Sequence, residues 1–224
     1  MLRSRWFKAI VFVAFLAPAL YLGWRNYIDD LGANPLEYIT HFTGDWTIRF
    51  ICATLAITPL RKLLGVPDLI RYRRMIGLYA FFYGCLHFAA YLWLDKLFDF
   101  HEIVKDIAKR PFITMGFASF LLMLPLAITS TKGWIRRMGG KRWQLLHRLV
   151  YFAGIAAVVH YYWLVKSDVR LPLMYGAIVG VLLLYRAAVS VRAKAKAAAH
   201  GYNPGHAMAG VPRPNAALGS RSQN

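Results

Sequence analysis

Residues 112–129 read Phe-Ile-Thr-Met-Gly-Phe-Ala-Ser-Phe-Leu-Leu-Met-Leu-Pro-Leu-Ala-Ile-Thr, without one charged side chain. A helix that crosses a bilayer needs about 20 mostly apolar residues, within a range of about 17–25. Five further segments meet that requirement, at about 8–24, 46–64, 75–94, 146–165 and 171–187. A lone chain in hydrocarbon must satisfy its backbone hydrogen bonds inside each segment, so all six are expected to be helices. A β-barrel would need strict alternation of apolar and polar residues. Runs such as Phe120-Leu121-Leu122-Met123-Leu124 and Val181-Leu182-Leu183-Leu184 are continuous instead. The predicted fold is all-α: a polytopic membrane protein with six transmembrane helices in one bundle.

Composition agrees. Of 224 residues, 58% are hydrophobic and only 17% charged, against about 45–50% and about 25% in soluble domains. This excludes a water-soluble globular fold, a disordered chain and a secreted disulfide scaffold, and Cys52 and Cys85 both lie inside apolar runs. The first segment imitates a signal peptide, with Arg3, Arg5 and Lys8 before the apolar run and Ala17-Pro18-Ala19 after it. The run continues through Leu20, Tyr21, Leu22 and Trp24, so an uncleaved helix is expected.

The net charge of +18 is explained by topology rather than by nucleic acid. Lys and Arg accumulate in cytoplasmic loops. Here they fall in the N-terminal arm, around Arg61–Arg74, around Lys132–Arg142 and in the tail from Arg186. The remaining connections hold most of the acids: Asp29, Asp30, Glu37 and Asp45, then Asp95, Asp99, Glu102 and Asp106. Both termini are therefore expected in the cytoplasm, with the basic loops against anionic lipid headgroups. Residues 1–187 form the membrane domain; 188–224 read as a basic tail, helical at first and then largely disordered.

Ionisable residues inside spans are costly and point to function. His87 lies in the third segment, and His147 and His160 in the fifth. At 1.5 Å per residue, His87 sits about 18 Å along its helix from Met75, and His160 about 19.5 Å beyond His147. Depth matching brings His87 and His160 to one level, with His147 near the level of Arg73 and Arg74. Two imidazoles facing each other across neighbouring helices suit the axial positions of a haem iron. Gly77, Gly84, Gly154, Ala156 and Ala157 would leave room for a flat macrocycle. On an ideal helix His147 and His160 would point about 140° apart, so either the helix deforms, near Gly154, or the two serve different partners. Alternatives remain. A lone intramembrane histidine can simply hydrogen-bond across helices, and Arg73 and Arg74 can be plain membrane anchors or contacts to a haem propionate or flavin phosphate. Zinc is disfavoured because no Cys, Asp or Glu accompanies these histidines at depth.

Specific motifs now appear. Arg73-Arg74-Met75-Ile76-Gly77-Leu78-Tyr79-Ala80-Phe81 leads to His87 and Tyr91, Lys141-Arg142-Trp143-Gln144-Leu145-Leu146-His147 follows, and His160-Tyr161-Tyr162-Trp163 comes last. Thr43-Gly44-Asp45-Trp46, Thr58-Pro59-Leu60-Arg61 and Arg110-Pro111-Phe112-Ile113-Thr114 add to them. In this order, over about residues 8–187, the chain resembles the MsrQ (YedZ) family, with its ferric-reductase-like transmembrane fold.

The resemblance implies the haem-binding inner-membrane subunit of a bacterial periplasmic methionine sulfoxide reductase system. It implies b-type haem, bound FMN, and electrons drawn from the respiratory quinone pool, with a cytosolic flavin reductase as another donor. The acceptor would be a periplasmic molybdopterin subunit, MsrP, which carries the methionine sulfoxide chemistry. The histidines carried over are His87, His147 and His160. Two-haem members of the superfamily pair histidines on both helices; here the place that should face His147 holds Arg73 or Arg74. One haem between His87 and His160 is expected, with His147 serving a second haem, the flavin or quinone chemistry. Competing readings are a stand-alone ferric or quinone oxidoreductase, a transporter with a histidine proton relay, and a haem-free scaffold.

Overall fold

The structure, a computed structural model, describes residues 4–201. Among them the secondary structure is helical throughout. The helices are α1 (Arg5–Tyr27), α2 (Pro35–Leu63), α3 (Ile70–Ala89), α4 (Phe100–Lys109), α5 (Pro111–Ile128), α6 (Lys132–Met138), α7 (Gly140–Leu146), α8 (Leu149–Leu164) and α9 (Arg170–Gly201). Two units are distinguished, Met1–Tyr185 and Arg186–Asn224. The helical start expected for the tail is present in α9; the disordered end expected after it lies outside the described residues.

Local chemistry sets the boundaries. Asn34 caps α2 through Glu37 N, with Pro35 at the first helical position. Asp99 caps α4 by accepting from His101 N and Glu102 N. α5 opens on Pro111, directly after Arg110.

Among the described residues four stretches are long and apolar enough to cross a membrane: Arg5–Tyr27, Pro67–Asp95, Pro111–Ile128 and Arg170–Lys196. The two other expected segments differ in detail. Residues 46–64 belong to a longer helix that begins at Pro35, so Asp45 sits on α2 and not in a connection. The segment 146–165 is interrupted: α7 ends at Leu146, His147 and Arg148 form a turn, and α8 begins at Leu149. The wheel that put His147 and His160 on different faces assumed one unbroken helix, and the turn removes that premise.

α2 lies against α3, α3 against α5, α5 against α8 and α8 against α2, closing a ring of four helices. Ile51, Leu55, Tyr83 and Ala153 are wholly buried within it. Ser119 on α5 donates to the Ala153 carbonyl on α8 at 2.9 Å. α1 docks on α3 through aromatic edges, Phe12 and Phe15 against Tyr79. The Tyr79 hydroxyl donates to Phe12 O at 2.7 Å. Beside Pro18, the Tyr83 hydroxyl accepts from Ala19 N at 3.0 Å and donates to Phe15 O at 2.9 Å. It is thereby inserted between a donor and acceptor four residues apart on α1. Leaving such buried groups unpaired costs about 1–3 kcal/mol, so these tyrosines tie α1 to the ring.

Candidate functional site

Within the ring a cavity of about 260 Å³ is walled by α2, α3, α5 and α8. His87 from α3 and His160 from α8 face each other across it, ring centroids 6.0 Å apart and planes at 77°. The expected pairing of the two imidazoles at one depth is present. His87 Nδ1 lies 3.0 Å from Thr40 O, and His160 Nδ1 lies 2.6 Å from Phe112 O. A carbonyl can only accept, so each Nδ1 carries the proton and each Nε2 presents its lone pair. A metal-ligating histidine is commonly held in this way, by donating its other ring N–H to a carbonyl.

Two glycines make the arrangement sterically possible. A Cβ on Gly44 of α2 would meet the His87 ring at 3.2 Å, and one on Gly116 of α5 would meet His160 Nδ1 at 2.7 Å. Each imidazole thus lies on backbone where any other residue would intrude. The small residues expected to make room divide their duties. Gly84 and Ala157 line this cavity, Gly77 lines a second one, and Gly154 lets α8 approach Ile51 and Leu55 of α2.

Two imidazoles 6.0 Å apart, each with its Nδ1 held by a backbone carbonyl, form a donor set that would suit a haem iron, which would supply one-electron chemistry there. Among the described residues no group of three or more His, Cys, Asp or Glu could hold a bare metal ion.

The second cavity, about 570 Å³, is lined by Arg73, Arg74, Gly77, Trp143, Gln144, His147, Arg148 and Tyr151, among others. The structure therefore brings Arg73, Arg74 and His147 to one place. His147 stacks on Trp143 with centroids 3.8 Å apart, and its Nδ1 lies 3.0 Å from Trp143 O. Its Nε2 is buried with no hydrogen-bond partner. Among the described residues the wall carries three guanidinium groups and no carboxylate. Such a wall suits a flat anion, either a propionate-bearing ring or a flavin phosphate.

Residues 43–158 match the family described as the ferric reductase like transmembrane component. The protein-methionine-sulfoxide reductase heme-binding subunit MsrQ of Herminiimonas arsenicoxydans is 55% identical over 181 residues, 80% of this chain and 83% of its own. That of Xanthomonas oryzae pv. oryzae strain MAFF 311018 is 52% identical over 186 residues, 80% of this chain and 85% of its own. The same subunit of Azospira oryzae is 52% identical, covering 83% of this chain and 80% of its own. The chain belongs to the MsrQ family. No solved structure matches it.

Sequence reasoning gave no role here to four residues of this MsrQ cavity, Gly44, Gly116, Asp45 and His41. Gly44 and Gly116 touch the imidazoles from helices other than their own, so no spacing along one segment reveals them. Asp45, expected in an outer connection, lines the histidine cavity beside Gly44, with Arg49 at 3.3 Å. Arg49 Nε in turn donates to the Tyr175 hydroxyl at 3.2 Å. His41, expected to be merely solvated, also lines this cavity while remaining exposed.

Proposed function

We propose that this chain is the electron-transfer subunit of a methionine sulfoxide reductase in the bacterial inner membrane. It takes electrons from the respiratory quinone pool, or from a cytosolic flavin reductase, and delivers them to a periplasmic molybdopterin partner, MsrP. Methionine sulfoxide is reduced on that partner. The names of the relatives, heme-binding subunits of protein-methionine-sulfoxide reductase, support the reading. The observation that carries it is the pair of imidazoles 6.0 Å apart, each with its Nδ1 tied to a backbone carbonyl.

His87 and His160 hold haem b through Nε2. When bound, the haem supplies one-electron chemistry at a potential tuned by its axial ligands and surroundings. Thr40 O and Phe112 O orient the imidazoles, Gly44 and Gly116 admit them, and the apolar wall keeps water away. In the second cavity His147, Arg73 and Arg74 bind FMN through its phosphate, or a second haem through its propionates.

The proposed topology has six spans and both termini in the cytoplasm. The segregation of basic and acidic connections supports it. So does the position of α2 and α8, which close the ring with α3 and α5 and need fewer apolar residues toward lipid. The test is a dithionite-reduced minus oxidised visible spectrum of the purified protein with haemochrome quantification. Sharp b-type bands are expected in the native chain, absent from His87→Ala and His160→Ala. Bands of native intensity in either variant would overturn the assignment.

A further inference from the structure

The histidine cavity is apolar over most of its wall, and its lining includes Tyr91, Asp95 and Arg110, drawn together through Lys96 and Asp106. Among the described residues lining it, Arg110 alone carries a permanent positive charge. Its guanidinium is held in place. Arg110 Nε lies 3.1 Å from Asp106 Oδ1, and the other oxygen of that carboxylate lies 2.7 Å from Lys96 Nζ. Asp106 is 5% exposed, and a carboxylate so buried is tolerated because it lies between two cations. Of the two carboxylates on the cavity wall, Asp45 meets Arg49 at 3.3 Å, and Asp95 shares Lys96 with Asp106, at 3.8 Å against 2.7 Å. Among the described residues neither is joined to Arg110 by an ion pair.

Tyr91 adds an independent observation. It lies on the π-helical turn Ala90–Asp95 that follows α3, and its hydroxyl is buried with no hydrogen-bond partner. A buried hydroxyl that bonds to nothing is uncommon and invites a ligand group as its acceptor.

We propose that Arg110 and Tyr91 bind a propionate carboxylate of the tetrapyrrole held between His87 and His160, and that Asp106 is the positioning residue that keeps the guanidinium at the cavity. The inference rests on the haem reading above. A guanidinium presents five donors in a planar fork that matches a carboxylate, and the contact to Asp106 through Nε uses one edge of it. The phenol supplies the further donor. This cluster therefore sets which way round the macrocycle enters, with its carboxylates toward Arg110 and its apolar edge toward Phe117, Phe120 and Met123.

The experiment compares release of two ligands from full-length protein in detergent, haem and haem dimethyl ester, to excess apomyoglobin. The ester lacks the carboxylate charge and changes nothing in the protein. Arg110→Ala should release haem about tenfold faster or more, and Tyr91→Phe about threefold faster, with the b-type spectrum kept in both. Native protein should release the ester about as fast as Arg110→Ala releases haem, and for the ester the native and Arg110→Ala proteins should agree within about twofold. Equal haem release from native and Arg110→Ala protein, or a tenfold gap that persists with the ester, would overturn the proposal. Failure of the haem reading itself would look different: no haem in the native protein, or undiminished haem in His87→Ala. If Arg110→Ala does not fold, the native protein with its two ligands and Tyr91→Phe still decide the matter.

Discussion

Around His87 and His160 the chain places glycines; around His147 it places arginines. The first cavity has two imidazoles 6.0 Å apart, each pressed onto a glycine of a neighbouring helix. The second has a single imidazole stacked on Trp143, with Arg73, Arg74 and Arg148 on its wall. In both, the histidine Nδ1 is tied to a carbonyl. What separates them is the partner opposite: a second lone pair in one case, positive charge in the other. A metal held from both sides needs the first arrangement, and a flat anion held by its edge suits the second. The histidine count alone does not say which site is which.

That contrast can be broken. The largest effect expected is on the b-type difference spectrum, which His160→Ala should abolish while His147→Ala leaves the contribution of the His87–His160 pair in place. A spectrum lost equally in both variants would mean that the two cavities form one site.

Glycine substitutions sharpen the comparison. Gly116→Ala pushes a Cβ to 2.7 Å from His160 Nδ1, and Gly44→Ala pushes one to 3.2 Å from the His87 ring. Overpacking of this kind costs about 1–3 kcal/mol, and the order expected in lost haem and lowered melting temperature is Gly116→Ala above Gly44→Ala. Gly180→Ala, where a Cβ meets nothing within 4 Å, should leave both unchanged. A Gly180→Ala defect as large as that of Gly116→Ala would show that generic helix effects, and not imidazole seating, control haem content.

The smallest effect concerns the charged cluster beside the histidine cavity. The Lys96 ammonium beside Asp106 holds its carboxyl below the ordinary 3.8 and is itself raised above 10.5. A carboxyl depressed in the folded chain stabilises it fully above its ordinary value, and that contribution is lost as pH falls through the depressed one. The lysine contribution is full below 10.5 and lost as pH rises through the elevated value. Thermal stability should therefore carry the full contribution of this pair, without pH dependence from it, across the neutral range, and lose it only on the acid limb below 3.8 and the alkaline limb above 10.5. Asp106→Asn should lower the plateau slightly and flatten that limb; an unchanged acid limb in the variant would remove Asp106 from the account.

Much of this was legible beforehand, and what was not has identifiable causes. His87 and His160 could be paired by depth because rise per residue is constant along a helix. The same arithmetic set His147 and His160 about 140° apart; a two-residue turn at His147 and Arg148 interrupts the helix it assumed, and the two histidines line different cavities. Asp45 was misplaced because a charged residue reads as a connection when hydropathy alone sets the boundary. Arg49, four residues on, lies within ion-pair distance and lets helix α2 carry it. Arg110 stood in a quoted motif with no role, since the cavity it lines is assembled from the ends of other helices.

By itself the sequence determined the all-helical membrane architecture, the family, the identity of the histidine pair and the gathering of arginines near His147. The family was legible in the order of its motifs; the rest follow from periodicity, hydropathy and charge, quantities local to one segment. Only the tertiary structure decided that Gly44 and Gly116 seat the imidazoles, that Tyr83 completes the α1 hydrogen bonding beside Pro18, and that Arg110, Asp106 and Tyr91 meet beside the histidine cavity. Each of these is a contact between residues far apart in the chain, so no property of either neighbourhood alone encodes it.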